Sequence, residues 1–509
     1  MRAWRGSVVT AILLATAGCG VPNAAVHSTR SRQNDPTGVA TSTPTGSPST
    51  DLPQGTTPET TPQTTPDTTP LPVEQGIIDF GENHQPKPYD GFLTAAFKDI
   101  ESYWAVQFPA LYGTDFKPLS GHIYAAYPNR SDPIPGCGSP VTSYDEIQGN
   151  AFYCVDGDFM AYDDEELMPQ LVDQLGQAAV AVVLAHEFGH AVQFRANEFE
   201  QTTILKEQQA DCFAGAWAAH ISRGESDVLT FTDKDIRGGL IAMIQVRDPL
   251  QLGGSISANS HGTGFDRVGA FQDGFNGGGD RCKQFFTENR QLINIPFDAG
   301  DENNGNLPLV DPDPDPTDGP ADIVTLLPKD LTRYWTAELA NDNLTLTPPT
   351  VKVFTTDDGT ASCEGLDDSS FDDNIVYCAA SNTIFIDQQF AAETLADELQ
   401  GDMSIGYLIS QGYSEIVQGL LGSKLTGEPR ALLDDCLTGS WIRDDLPPIE
   451  GDRPVFLSAG DLDEAIVTTI KRSDPTNDTN VEGSAFEKID AFRSGVLGGL
   501  SVCQERITP

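Results

Sequence analysis

The chain has 509 residues, with 30 Lys+Arg against 75 Asp+Glu and a formal net charge of −45. Such an acidic excess excludes nucleic acid and anionic lipid headgroups as charge-driven partners, because phosphate contacts need clustered Lys and Arg. At about 100–200 residues per domain the length implies two to four domains, each large enough to bury its own core. The nine cysteines are an odd number, so in an exported chain one has a role the other eight do not share.

Arg2 and Arg5 precede a short apolar run, Val8 to Ala15, and then Thr16-Ala17-Gly18-Cys19. The run is too short to span a bilayer, and residues 1–18 are expected to be an export signal peptide. The small residues before Cys19 resemble a bacterial lipobox, with Thr16 where that pattern has Leu. The resemblance implies cleavage before Cys19 and a diacylglycerol anchor on its thiol. The protein would then sit in the cell envelope, lipid-anchored to the outer face of a bacterial cytoplasmic membrane. An ordinary signal peptide cut near Ala17 is the alternative. Residues 19–76 read as a disordered tether: from Thr41 to Pro72, twenty of thirty-two residues are Thr or Pro, with almost nothing apolar to offset the entropy of ordering. Proline biases such a stretch toward extended polyproline II, and its composition also suits O-linked sugars.

Residues 77–297 are expected to form the first folded domain. Gly121 to Tyr127 is strand-like, and Phe159-Met160-Ala161-Tyr162 reads as a strand whose edge pairs with an extended substrate. Leu171 to Phe194 is apolar on most faces and long enough for one buried helix. Near its end stands His186-Glu187-Phe188-Gly189-His190. In a helix His186 and His190 share a face at i and i+4, which suits two nitrogen ligands of one Zn²⁺, while Glu187 leans toward a water on the metal. A second helix, Thr203 to His220, carries Glu207 and Asp211 at the same spacing. One carboxylate can complete a His2Glu set and the other can orient a ligating histidine. Its plainer reading is an acidic helix start that suits the macrodipole.

Asp298 to Asp322 has eight acidic residues and no basic one, and reads as a solvated Pro-rich linker. Residues 323–509 then repeat the first domain. Lys98-Asp99…Tyr103-Trp104 answers Lys329-Asp330…Tyr334-Trp335, and Cys212…Gly215-Ala216-Trp217 answers Cys436…Gly439-Ser440-Trp441. The offsets stay between 221 and 231, which shared composition would not maintain. Each copy has four cysteines. Of the three connectivities open to each, Cys137–Cys154 with Cys212–Cys282, and Cys363–Cys378 with Cys436–Cys503, join segments that are near in order or close a copy's C-terminal half. A thiol metal site is the alternative, without a C-x2-C spacing to support it. Aligned this way, His186, Glu187 and His190 become Gln411, Gly412 and Glu415; Glu207 becomes Ala431 and His261 becomes Glu482, while Asp435 keeps the place of Asp211. Residues lost together from a copy that keeps its framework serve a removable function, so the second copy is expected to hold no catalytic zinc.

Residues 77–290 resemble the bacterial neutral zinc metallopeptidase family of zincins. The resemblance rests on Phe152-Tyr153-Cys154, on His186-Glu187-Phe188-Gly189-His190-Ala191-Val192-Gln193, on Gln209-Ala210-Asp211-Cys212-Phe213-Ala214-Gly215, and on Ser260-His261-Gly262-Thr263…Arg267…Phe271…Gly274-Phe275. It implies an α+β zincin-like fold, a helical core with a small sheet, followed here by a degenerate repeat. It further implies one Zn²⁺ per chain held by His186, His190 and Glu207, Glu187 as general base, and His261 as an oxyanion partner. The expected activity is zinc-dependent hydrolysis of a peptide or protein substrate. A non-catalytic envelope scaffold and a zinc amidase acting on cell-wall material are the alternatives. His27, His84, His122 and His220 are read as structural or exposed.

Overall fold

The computed structural model describes residues 76–507, apart from 139, 200–202, 246–261, 289, 291, 294–305, 318, 356–360, 398, 447–452, 456, 459 and 474–483. The expected signal peptide, Cys19, nearly all of the tether, His261 and part of the acidic linker lie outside the described residues.

The chain is helix-rich α+β. Its first half runs β1 (Ile78–Asp79), α1 (Asp90–Tyr112), β2 (Ile123–Ala126), β3 (Ile134–Pro135), β4 (Val141–Thr142), α2 (Tyr144–Ile147), β5 (Ala151–Cys154), β6 (Phe159–Asp163), α3 (Leu167–Leu175), α4 (Gln177–Ala196), α5 (Thr203–Ser222), α6 (Asp233–Gln245) and α7 (Gly264–Lys283). The second runs α8 (Ile323–Asn341), β7 (Thr350–Phe354), β8 (Ile375–Cys378), β9 (Thr383–Asp387), α9 (Gln388–Leu395), α10 (Asp402–Leu420), α11 (Glu428–Asp444), α12 (Asp461–Lys471), α13 (Ala485–Gly498) and α14 (Leu500–Glu505).

Two strand arrangements match. In the first half the order is β1-β2-β6-β5, with β2 parallel and β5 antiparallel to β6. In the second it is β7-β9-β8, with β7 parallel and β8 antiparallel to β9. This corrects one expectation: Phe159 to Tyr162 does not lie at an edge. β6 is paired on both sides and every residue in it is buried, so it has no free backbone row to offer a substrate. The edge beside α4 is β5.

The expected helix from Leu171 to Phe194 is two helices. Gly176 breaks it with φ 90 and ψ 171, a left-handed value that favours glycine, and its N–H closes α3 on the Val172 carbonyl at 3.0 Å. Beyond it α4 is apolar on all sides, and residues 178–193 are buried throughout.

Glycines let the neighbouring helices meet backbone to backbone. A Cβ on Gly215 of α5 would stand 2.0 Å from the Phe271 carbonyl oxygen of α7, and one on Gly274 would stand 1.8 Å from that of Cys212. Between α11 and α13, Gly439 and Gly495 make the same approach, at 2.1 Å from Phe492 O and 2.0 Å from Cys436 O. Cysteines at bonding distance pair as Cys137–Cys154, Cys212–Cys282, Cys363–Cys378 and Cys436–Cys503. In each half a buried Trp indole donates to the helix-1 aspartate, Trp217 to Asp99 and Trp441 to Asp330, both at 2.8 Å.

The buried core continues from one half into the other. Phe275 and Phe486 pack with ring centroids 4.4 Å apart, Gln272 donates to the Phe486 carbonyl at 3.0 Å, and Asp463 accepts the Phe265 N–H at 2.8 Å.

Candidate metal centre

The site forms where α4 crosses α5. The crossing is tight because Gly189 has no side chain: a Cβ there would lie 3.0 Å from the Ala210 Cα. Helical spacing puts His186 and His190 on the face of α4 turned to α5, with ring centroids 4.9 Å apart. The same spacing puts Glu207 and Asp211 on the facing side of α5. His186, His190 and Glu207 are 3%, 1% and 2% exposed, so water screens none of them.

One carboxylate oxygen meets both imidazoles. Glu207 Oε2 is 3.3 Å from His186 Nε2 and 3.1 Å from His190 Nε2. The opposite ring nitrogens are already engaged. His186 Nδ1 lies 2.7 Å from Asp211 Oδ1, and His190 Nδ1 lies 2.9 Å from Gln193 Oε1. The Gln193 amide is oriented by its own NH2, which donates to the Lys206 carbonyl at 2.6 Å, so its oxygen must face His190. With Nδ1 donating in both rings, each neutral imidazole turns the lone pair of Nε2 toward a carboxylate. Three electron-rich atoms then converge in a dry place, an arrangement that a cation resolves. Two ligands at about 2.0–2.1 Å in a tetrahedron stand about 3.3 Å apart, so the donor set and its spacing fit zinc.

Arg267 of α7 braces the centre from behind. It is 1% exposed and grips Asp211 through Nε at 3.0 Å and Nη2 at 2.7 Å. Burial alone would raise the Asp211 pKa, but the charges of Arg267 and His186 and their hydrogen bonds hold it below the usual carboxylate range. Burial also opposes a charge on His186, yet the Asp211 carboxylate and the Glu207 hydrogen bond outweigh it and push its pKa up to about 10 in the metal-free arrangement. The carboxylates around that ring therefore favour positive charge where they converge.

Glu187 stands beside the same centre, with Oε1 3.9 Å from His186 Nε2. Its Oε2 accepts the backbone N–H of Tyr153 at 3.1 Å, which fastens the carboxylate to strand β5.

The sequence pattern thus brought together His186, Glu187, His190, Glu207 and Asp211. His261 lies outside the described residues, but its neighbour Gly262 sits over the first turns of α5, where a Cβ would be 3.6 Å from Ile204 and 3.7 Å from Gln208. Three further participants had no role in the sequence reading: Gln193, the Tyr153 N–H and Arg267. Gln193 stands at i+3 from His190, a legible signal; Arg267 is a buried arginine beside Asp266 in the first turn of α7, a weaker one. His84 is not idle: its Nε2 lies 2.9 Å from Asp164 Oδ2, whose other oxygen accepts from Tyr89 at 2.8 Å, a buried polar brace between α1 and the end of β6. His122 is exposed, and His220 lies 3.2 Å from Glu225.

A family model described as "Putative neutral zinc metallopeptidase" matches residues 99–285, which contain every one of the centre's residues. Proteins of Mycobacterium bovis and of two strains of Mycobacterium tuberculosis, each named as uncharacterized, are 30% identical to the chain over 176 residues. The match covers 31% of this chain and 55% of each relative, so the chain spans about half the length of those proteins. No solved structure matches.

Proposed function

We propose that the chain is an exported, zinc-dependent peptidase whose chemistry lies wholly in its first half. The observation that carries this reading is the convergence of His186 Nε2, His190 Nε2 and Glu207 Oε2 at 3.1 and 3.3 Å, with both remaining imidazole nitrogens occupied by oriented acceptors. The similarity of residues 99–285 to a zinc metallopeptidase family supports it.

His186, His190 and Glu207 would hold the metal. Zinc bound there would supply a Lewis acid that activates water and polarises a carbonyl. The rest falls to the chain. Asp211 and Gln193 fix the two imidazoles in the tautomer that leaves Nε2 free, and Arg267 keeps Asp211 ionised. Glu187 takes the proton from the attacking water and delivers it to the leaving amine; the Tyr153 N–H holds it in place for both transfers. His261 is assigned to the developing oxyanion. Because β5 is the edge strand and carries the Glu187 contact, it replaces β6 as the strand along which an extended peptide would lie.

The second half is read as a degenerate copy of the first. The matching strand order, paired cysteines, Trp–Asp bonds and glycine approaches support a duplication. Export and a lipid anchor at Cys19 rest on residues 1–19 and agree with four disulfide-distance pairs, which persist in oxidising compartments. Among the described residues no helix is long and apolar enough to cross a membrane.

The test is a zinc count and a peptide-library digest on the purified body beside Glu187→Gln. One zinc per chain in both, with cleavage lost by about 10²–10⁴-fold in the variant, is expected. Absence of bound zinc, or equal cleavage by the variant, overturns the reading.

A further inference from the structure

A second cluster of metal-binding character lies in the half that has lost the histidines. Asp402 opens α10, and Asp461 and Glu464 lie in the first turn of α12. One oxygen from each comes within 4.8 Å of the others. They are 6%, 3% and 8% exposed. Backbone N–H groups satisfy part of this charge: Leu307 donates to Asp402 Oδ2 at 2.8 Å, Met403 to Glu464 Oε2 at 3.0 Å, and Ser458 to Asp461 Oδ2 at 2.7 Å. Two helix N-termini add their dipoles.

Oxygen atoms are nevertheless left over. Asp402 Oδ1 is sealed from solvent without a hydrogen-bond partner, and so is Asn306 Oδ1. Asn306 borders the cluster through its amide nitrogen: a Cβ on Gly401 would stand 2.4 Å from Glu464 Oε1 and 2.7 Å from Asn306 Nδ2. Burial raises Asp402 to about 6, opposed only by backbone N–H groups. Burial also raises Asp461 well above the usual carboxylate range, helped by Asp402 and Glu464 and opposed by hydrogen bonds from Ser458. Buried charges are ordinarily paired or coordinate a metal, and three like charges this close repel strongly.

We propose that Asp402, Asp461 and Glu464 form a calcium site. The donors are all hard carboxylate oxygens, as Ca²⁺ requires, and the cluster holds no imidazole or thiolate to favour zinc. The flexible geometry and high coordination number of Ca²⁺ tolerate a set drawn from two helix starts, where Mg²⁺ demands a near-ideal octahedron. The site is peculiar to the second half: the helices in the same order in the first half, α4 and α6, open on Gln177 and carry Asp233 and Ile236.

Its effect reaches the first half. Asp463, inside the α12 turn that the ion would hold, accepts the Phe265 N–H at 2.8 Å in the first turn of α7, and Gly264 is pressed against its carboxylate. Phe265 lies four residues beyond His261. Calcium in one half therefore steadies the first turn of α7 in the other. The site goes beyond the peptidase reading and stands without it.

The test uses the purified chain in calcium-free buffer with zinc present throughout. CaCl2 is titrated to about 5 mM, the range of extracellular calcium modules, with MgCl2 as control. One Ca²⁺ per chain by equilibrium dialysis and a saturable rise in Tm of about 5 °C are expected. Asp461→Asn should abolish both and reverse the order of stability: without calcium it melts at or above the parent, because it removes a repulsion, and with calcium it melts below. Asp402→Asn gives the same crossing and carries the test should Asp461→Asn fail to fold. No bound calcium at about 10 mM, or an undiminished Tm response in the variants, overturns the proposal. Zinc content and cleavage are read in the same samples, so failure of the peptidase reading leaves the calcium result intact.

Discussion

His186 and Gln411 occupy corresponding places on α4 and α10, and the difference between their surroundings shows what the proposed metal centre needs beyond a scaffold. In the first half Asp211 is gripped by Arg267 and faces an imidazole. In the second, Asp435 lies 3.5 Å from Lys488, which stands where Arg267 does, but accepts from Gln411 at 3.3 Å and from Tyr407. Gln193 and Gln418 both donate to a carbonyl at the start of the next helix, Lys206 at 2.6 Å and Arg430 at 3.0 Å. Beyond Gln418, however, an exposed Arg430–Glu415 pair stands where His190 meets Glu207. The second half thus has supporting contacts like those of the first without its electron-rich triad. On the reading of a degenerate copy, the support of the centre is also ordinary helix packing, and would be retained for that reason.

The comparison is tested most severely at Glu187. Glu187→Gln should cut cleavage by about 10²–10⁴-fold at unchanged zinc content, whereas Gln411→Ala should alter neither. A loss of cleavage in Gln411→Ala would make the second half part of the centre. A smaller contrast involves the two helix starts. Thr263 caps Asp266 in α7 as Ser484 caps Glu487 in α13. Burial raises the Asp266 carboxyl to about 6, against the Ile293 N–H and the charges of Arg493 and Arg290, while Glu487 is exposed. A folded pKa above the unfolded value means stability that is present at low pH and lost as pH rises through about 6. Asp266→Asn should flatten the fall in stability between pH 4 and 7 by up to about 3 kcal/mol, and Glu487→Gln should leave it, as read by urea denaturation at each pH. Next come the glycine contacts. Gly215→Ala and Gly439→Ala should each destabilise by about 1–3 kcal/mol, and a neutral result for one would show that the two crossings are not equivalent. The smallest effect is expected at Arg267. Arg267→Lys should weaken zinc binding by about tenfold with the fold intact, because Lys cannot hold both oxygens of Asp211. Lys488→Ala should leave zinc affinity unchanged.

Much of the centre was legible because its signals are local. The i, i+4 pairs His186/His190 and Glu207/Asp211 each lie on one helix, and a helix apolar on all faces must be buried. The misreadings came from features that depend on distant chain. Whether Phe159 to Tyr162 is an edge depends on β2 and β5 flanking it, which periodicity does not reveal. The break at Gly176 turns on one backbone angle. The cluster of Asp402, Asp461 and Glu464 carried no signal in a chain with 75 acidic residues, where any three are inconspicuous until folding removes them from water.

The Cys212–Cys282 bridge has a consequence for timing. Cys212 follows Asp211 directly on α5, and Cys282 lies near the end of α7, the helix that supplies Arg267. Closing that bridge restricts the separation of the two helices that clamp the histidine-orienting carboxylate, and so removes unfolded conformations in which the clamp is open. Maturation of the centre is thereby linked to thiol oxidation. With the bridge still reduced, α5 and α7 would hold Asp211 and Arg267 in a looser frame, and oxidation would tighten it.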